Sequence, residues 1–120
     1  MVWTTGNVKK KMGIANVSLV TENKIFITNI EEAQREHLKS VGILPDDLDS
    51  TRWVIQYFSE VEKVALFTQL RDLGIPFSIG SHSGWGPSEQ FEDLRNRGLL
   101  NGNYKQVAWR RPQEPVVIER

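Results

Sequence analysis

In NVSLVTENKIFIT (16–28), Val17 and Leu19 alternate with polar neighbours, Thr21-Glu22-Asn23-Lys24 is turn-forming, and Ile25-Phe26-Ile27 follow as an apolar run. That spacing predicts a β-hairpin with Val17 and Leu19 on one face and Ile25, Phe26 and Ile27 opening the return strand. A helical period follows: Ile30, Ala33, His37, Leu38 and Val41 fall on one face, with Asn29 and Glu32 as a capping pair and Gly42 as the stop. His37 lies inside that stripe and reads as a packed, hydrogen-bonded histidine rather than a ligand. After the turn-forming LPDDLDS (44–50), TRWVIQYF (51–58) places Trp53, Ile55 and Tyr57 on one side and Val54 and Phe58 on the other. A strand apolar on both faces is expected near the centre of its sheet.

Ser59 to Glu62 forms a capping-box signature for a second helix, EVEKVALFTQLRDL. Its apolar residues Val64, Leu66, Phe67, Leu70 and Leu73 cover about half the circumference at 100° per residue. Such an arc predicts a helix wedged between two layers, or one meeting a second subunit. Strand IPFSIG (75–80) leads to a third helix opening at Pro87, burying Phe91 and Leu94. Gly98-Leu99 ends it, with Leu99 packing back on Leu94. YKQVAWRR (104–111) and Val116 to Glu119 read as two last strands.

The sequence therefore predicts an α/β or α+β domain. Its single mixed sheet has five to six strands in the order ββ-α-β-α-β-α-β-β, with helices mainly on one face. One globular domain is expected over residues 1–120, with 1–13 as a flexible or strand-like arm.

Composition narrows the function classes. The absence of cysteine excludes disulfides and thiolate metal sites. No apolar run approaches the roughly 18 residues of a membrane span, and MVWTTGNVKKKMG lacks the apolar middle of a signal peptide. A soluble, cytoplasmic protein without membrane contact is expected. Net charge is zero but uneven. Residues 1–30 hold four lysines against one glutamate, 31–95 six basic against twelve acidic residues, and 96–120 five basic against two glutamates. Without a basic excess, bulk nucleic-acid binding is disfavoured. Asp46, Asp47 and Asp49 lack the alternating pattern and closing glutamate of a calcium loop, and no metal or other cofactor is expected.

The chemistry concentrates in SIGSHSGWGPSEQF (78–91). A strand ending in a glycine-rich loop that opens a helix is an arrangement able to hold anions on converging backbone amides. Ser81, His82, Ser83, Gly84 and Trp85 are the candidate ligand residues, with Arg110 or Arg111 reaching a phosphate or a partner's carboxylate. The glycine spacing matches neither the Walker pattern nor the dinucleotide fingerprint. The alternative is a tight turn whose Trp85 plugs the core beneath it. For Trp109-Arg110-Arg111 the alternative is an edge strand guarded by arginines.

The expected function is non-catalytic binding and sequestering of an anionic small molecule such as a nucleotide. Two others stay open: an inhibitor of a protein partner, of the toxin-immunity or phage counter-defence kind, and a phosphoester-cleaving enzyme using His82. A homodimer is expected from the wide apolar arc of the second helix, with Trp3 and Trp109 adding to it.

Overall fold

The computed structural model describes residues 14–80, 84–111 and 114–120, excepting the side chains of Arg110 and Arg111. The expected arm 1–13, with Trp3, lies outside the described residues.

Seven strands form one mixed sheet in the order β3-β4-β2-β1-β5-β6-β7. Strands β1 (Asn16–Val20) and β2 (Lys24–Thr28) form the expected hairpin. Thr21 closes it, its Oγ1 accepting the Lys24 N–H at 3.0 Å. A bulge between Val17 and Leu19 breaks the alternation, because Leu19 opposes Phe26 while Val17 opposes Ile27. Leu19 is therefore turned from the face that Val17 shares and is 45% exposed, correcting the even alternation read from sequence.

A single 3-10 turn, Glu32–Gln34, precedes α1 (Arg35–Ser40). The reciprocal cap begins at Glu31, whose N–H donates to Gln34 Oε1 at 3.1 Å, while Asn29 takes a left-handed φ of 59°. With only six residues, α1 buries Leu38 alone, so His37 stands exposed rather than packed.

Strand β4 (Arg52–Gln56) lies second from the sheet edge, beside the two-residue β3 (Leu44–Pro45), and not at its centre. It ends before Tyr57, so Phe58 points outward and is 78% exposed.

Helix α2 (Glu60–Asp72) starts at Ser59, whose Oγ accepts the Glu62 N–H at 3.2 Å. The wide arc is spent on two layers. Phe67 meets Phe77 at 5.1 Å, on the two-residue parallel strand β5 (Phe77–Ser78), and Phe91 at 6.0 Å, on α3 (Pro87–Asn96). Phe91 in turn stacks on Tyr104 at 4.2 Å. At the end of α3, Gly98 has φ +80° and Leu99 N–H reaches Leu94 O at 2.9 Å, the expected cap. The side chain that enters the core there is Leu100, not Leu99, which is 43% exposed.

Strand β6 (Lys105–Arg111) is flanked by parallel β5 and antiparallel β7 (Glu114–Glu119), so it is interior and β7 takes the edge. Because β5 pairs only with Gln106 and Val107, residues 109–111 are paired on the β7 side alone among the described residues. Cross-strand register puts Val17, Ile27, Trp53 and Phe77 on one face, where they share the core cluster with Leu38 of α1, Leu66, Phe67 and Leu70 of α2, and Phe91 and Leu94 of α3. The fold class is as expected. The additional strand is β3, too short to leave a periodic signal.

Candidate functional site

The expected loop leaves β5 at Ile79, whose N–H donates to Val107 O at 3.2 Å. Gly80 and Gly86 then pass each other so closely that a Cβ on Gly80 would lie 2.7 Å from Gly86 N, and one on Gly86 2.5 Å from Gly80 N. Only glycine fits at either place. Glu89 locks this crossing, its Oε1 accepting the N–H of both Gly80 and Gly86 at 2.9 Å each. The anion expected on these stem amides is thus already present as the protein's own carboxylate. A bound anion must meet other donors.

Of the candidate residues, Ser81, His82 and Ser83 lie outside the described residues, as do the side chains of Arg110 and Arg111. The phosphoester reading rests on His82 and so also falls there. Gly84 takes a left-handed φ of +71°, and Trp85 follows it. Trp85 is 57% exposed and does not plug the core, which corrects that part of the turn reading.

Trp85 instead forms one wall of a cleft of about 650 Å³. The cleft sits beyond the C-terminal end of β1 and beside the starts of α2 and α3, where ligand crevices form in sheets with parallel strands. Its other walls are the Thr21–Asn23 turn and the segment from Tyr57 to Glu60. Lys63 and Gln90 also line it. The Lys63 ammonium donates to Gln90 Oε1 at 2.7 Å, and Gln90 Nε2 donates to Val20 O at 3.2 Å. Lys63 Nζ also lies 5.9 Å from the Tyr57 ring centroid and 5.7 Å from that of Phe67. Tyr57 is pinned by its hydroxyl, which donates to Thr21 O.

The charges around the cleft are unequally compensated. Glu60 is paired with Arg97 at 2.6 Å, and that hydrogen bond holds its carboxyl below the usual range. Arg97 also reaches Asp93 at 3.1 Å. Lys63 is different: partial burial pushes its ammonium below the ordinary lysine value, and Glu60 and Asp93 only partly oppose this.

Sequence reasoning identified Trp85 and missed Lys63, Gln90, Tyr57 and Phe58. A signal was present. Lys63, Phe67 and Leu70 share one helical stripe, as do Pro87, Gln90, Phe91 and Leu94. A lysine and a glutamine on buried stripes mark a polar floor.

Among the described residues, no group of three or more His, Cys, Asp or Glu could hold a metal ion, and no helix is long and apolar enough to cross a membrane. A second polar cluster joins α3 to β6. Ser88 Oγ lies 2.6 Å from the Tyr104 hydroxyl, which donates to Glu92 Oε2 at 2.7 Å, while Gln106 Nε2 donates to Ser88 Oγ at 2.7 Å. Its centre, Ser88 and Tyr104, is buried, and the cluster holds the layers together. No protein-family model, curated protein or solved structure matches the chain.

Proposed function

We propose that this protein binds, and by binding sequesters, an anionic small molecule bearing a planar ring, a nucleotide being the leading class. The observation that carries the reading is that the Lys63 ammonium and the exposed Trp85 side chain open onto one cleft. A ring gains contact area and stacking against Trp85, and a negative group gains a charge-assisted hydrogen bond from Lys63. Ser81, His82, Ser83 and Gly84, with Arg110 or Arg111, remain the further candidate ligand residues of this reading. The reading includes no catalytic step and no cofactor, and it places the protein in the cytoplasm.

A thermal-shift screen of nucleotides and phosphorylated metabolites, followed by calorimetry on the hits, tests it. At least one should raise the melting temperature, and Trp85→Ala should weaken its binding about five- to a hundredfold, the loss of roughly 1–3 kcal/mol of stacking. If no compound shifts the wild type, the reading is wrong.

A second reading is favoured by one observation: Phe58 and Val61 are 78% and 80% exposed at the start of α2, with Leu99 nearby at 43%. Exposed aromatic and aliphatic anchors within an acidic stretch suit a basic protein partner, as an inhibitor would meet. The same residues are the place for a homodimer contact. Sedimentation at micromolar concentration checks that point, a lone 13.8 kDa species ruling the homodimer out.

A further inference from the structure

The cleft lining holds one ammonium, Lys63, against two carboxylates, Glu22 and Glu60. Arg97 compensates Glu60, while Glu22 stands exposed on the hairpin turn. Lys63 makes no ion pair among the described residues. Its ammonium rests on neutral groups, the Gln90 amide oxygen and the rings of Tyr57 and Phe67. A partly buried cation on neutral supports gains most from one opposite charge, because that charge offsets the desolvation already incurred. Further negative charges on the same ligand would find no second cation in the cleft lining and would face Glu22, and like charges brought together are disfavoured.

Resting on the reading of this cleft as a ligand site, we propose that its ligand carries a single negative charge joined to a planar ring, the charge meeting Lys63 and the ring meeting Trp85. A phosphodiester or a carboxylate meets this condition; a polyphosphate does not. Gln90 is the positioning residue: bonded at once to Lys63 and to the end of β1, it fixes where the charge is received.

At pH values near the lowered Lys63 value, binding should also take up protons. The groups around Lys63 are Glu60 on its own helix, Asp93 and Arg97 from α3, Tyr57 after β4 and Glu22 from the hairpin turn. Burial holds the ammonium below its ordinary range, and a bound anion restores it. Affinity for the anion should therefore be full at low pH and fall as pH rises through the lowered Lys63 value.

The test is calorimetry of the full chain with adenosine, 3′,5′-cyclic AMP, ATP and indole-3-acetate, on wild type and Lys63→Met. The expected result is that one of the two singly charged probes binds at least tenfold tighter than both adenosine and ATP. Which one does so separates phosphodiester from carboxylate. Lys63→Met should remove that preference with an unchanged melting temperature, and Gln90→Glu, which supplies an internal anion, should weaken the same probe. Proton uptake, read from paired buffers of different ionisation enthalpy, should vanish in Lys63→Met. ATP binding tightest, or Lys63→Met keeping the preference, sinks this inference and leaves the function standing. Failure of all four probes, together with no shift of the wild type by any compound in the thermal screen, overturns both.

Discussion

The flank of α3 that faces β6 presents Ser88, 1% exposed, to Tyr104 and Gln106; the flank that faces α2 presents Gln90, 4% exposed, to Lys63. Both polar groups are buried to the same degree. On the first flank the buried hydroxyls and the charge each end on a fitting partner: the Tyr104 hydroxyl has Ser88 and Glu92, and Glu92 has Arg120 at 3.6 Å. On the second, an ammonium ends on an amide oxygen, and beyond it the chain opens into a cleft. A completed polar network closes two layers and has nothing left to offer a ligand. An uncompensated charge beside an open cleft and an exposed tryptophan has its strongest bond still to make.

The comparison can be broken first at its shared support. Phe91 lies between the flanks, in ring contact with Phe67, Phe77 and Tyr104. Phe91→Ala should cost about 3–5 kcal/mol in denaturant unfolding, and Trp53→Ala in the same core cluster a similar amount. A near-normal midpoint for Phe91→Ala would mean that the aromatic cluster does not hold the two helices to the sheet.

Next comes the completed flank. Tyr104→Phe keeps the ring but removes the hydroxyl that Ser88 and Glu92 share, so it should cost about 1–3 kcal/mol. Burial, reinforced by Glu92, pushes the Tyr104 hydroxyl up to about 12 from its ordinary value of 10.0. An acid whose folded value is raised binds its proton more tightly when folded. Its contribution is complete below the unfolded value and is lost as pH rises between the two. Wild-type stability should thus fall across that alkaline window, and Tyr104→Phe should remove the fall. An unchanged slope in the variant would assign it to another group.

How far the sequence discloses these two flanks depends on what produces each. The hairpin, α2, the Gly98 cap and the fold class follow from local spacing and capping chemistry, which act between residues close in the chain. The edge position of β7, the bulge at Leu19 and the exposure of His37 depend on which strands become neighbours and how short α1 is. The glycine loop was legible as a feature, but the role of its amides was not. Glu89 reads as an ordinary first-turn acid until Gly80 and Gly86 are seen to cross beside it. Lys63 is separated from Gln90 by 27 residues, and no spacing rule joins them.

A smaller effect on stability is expected at Trp85. More than half exposed, it should tolerate Trp85→Ala within about 0.5–1 kcal/mol, while ligand binding weakens. If Trp85→Ala instead unfolds the protein, its exposure has been misjudged and the open flank is architecture like the other.

The smallest effect is expected at Lys63, and it discriminates by sign. Lys63→Met keeps most of the aliphatic stem and removes a charge whose burial is unfavourable, so near-neutral stability should be unchanged or slightly higher. For a base with a lowered folded value, the unfolded chain binds the extra proton between that value and the ordinary 10.5. Stability contributed by this group therefore rises with pH through that window, opposite in direction to Tyr104 above it. Urea midpoints taken from pH 7 upward should show a shallow rise in wild type that Lys63→Met lacks, before the Tyr104 fall begins in both. The polar groups of the two flanks would then carry opposite pH slopes, as expected of one held for the fold and one held for a ligand. If Lys63→Met instead lowers the midpoint by as much as Tyr104→Phe, the Lys63–Gln90 contact is a structural bond, and the two flanks differ in shape but not in kind.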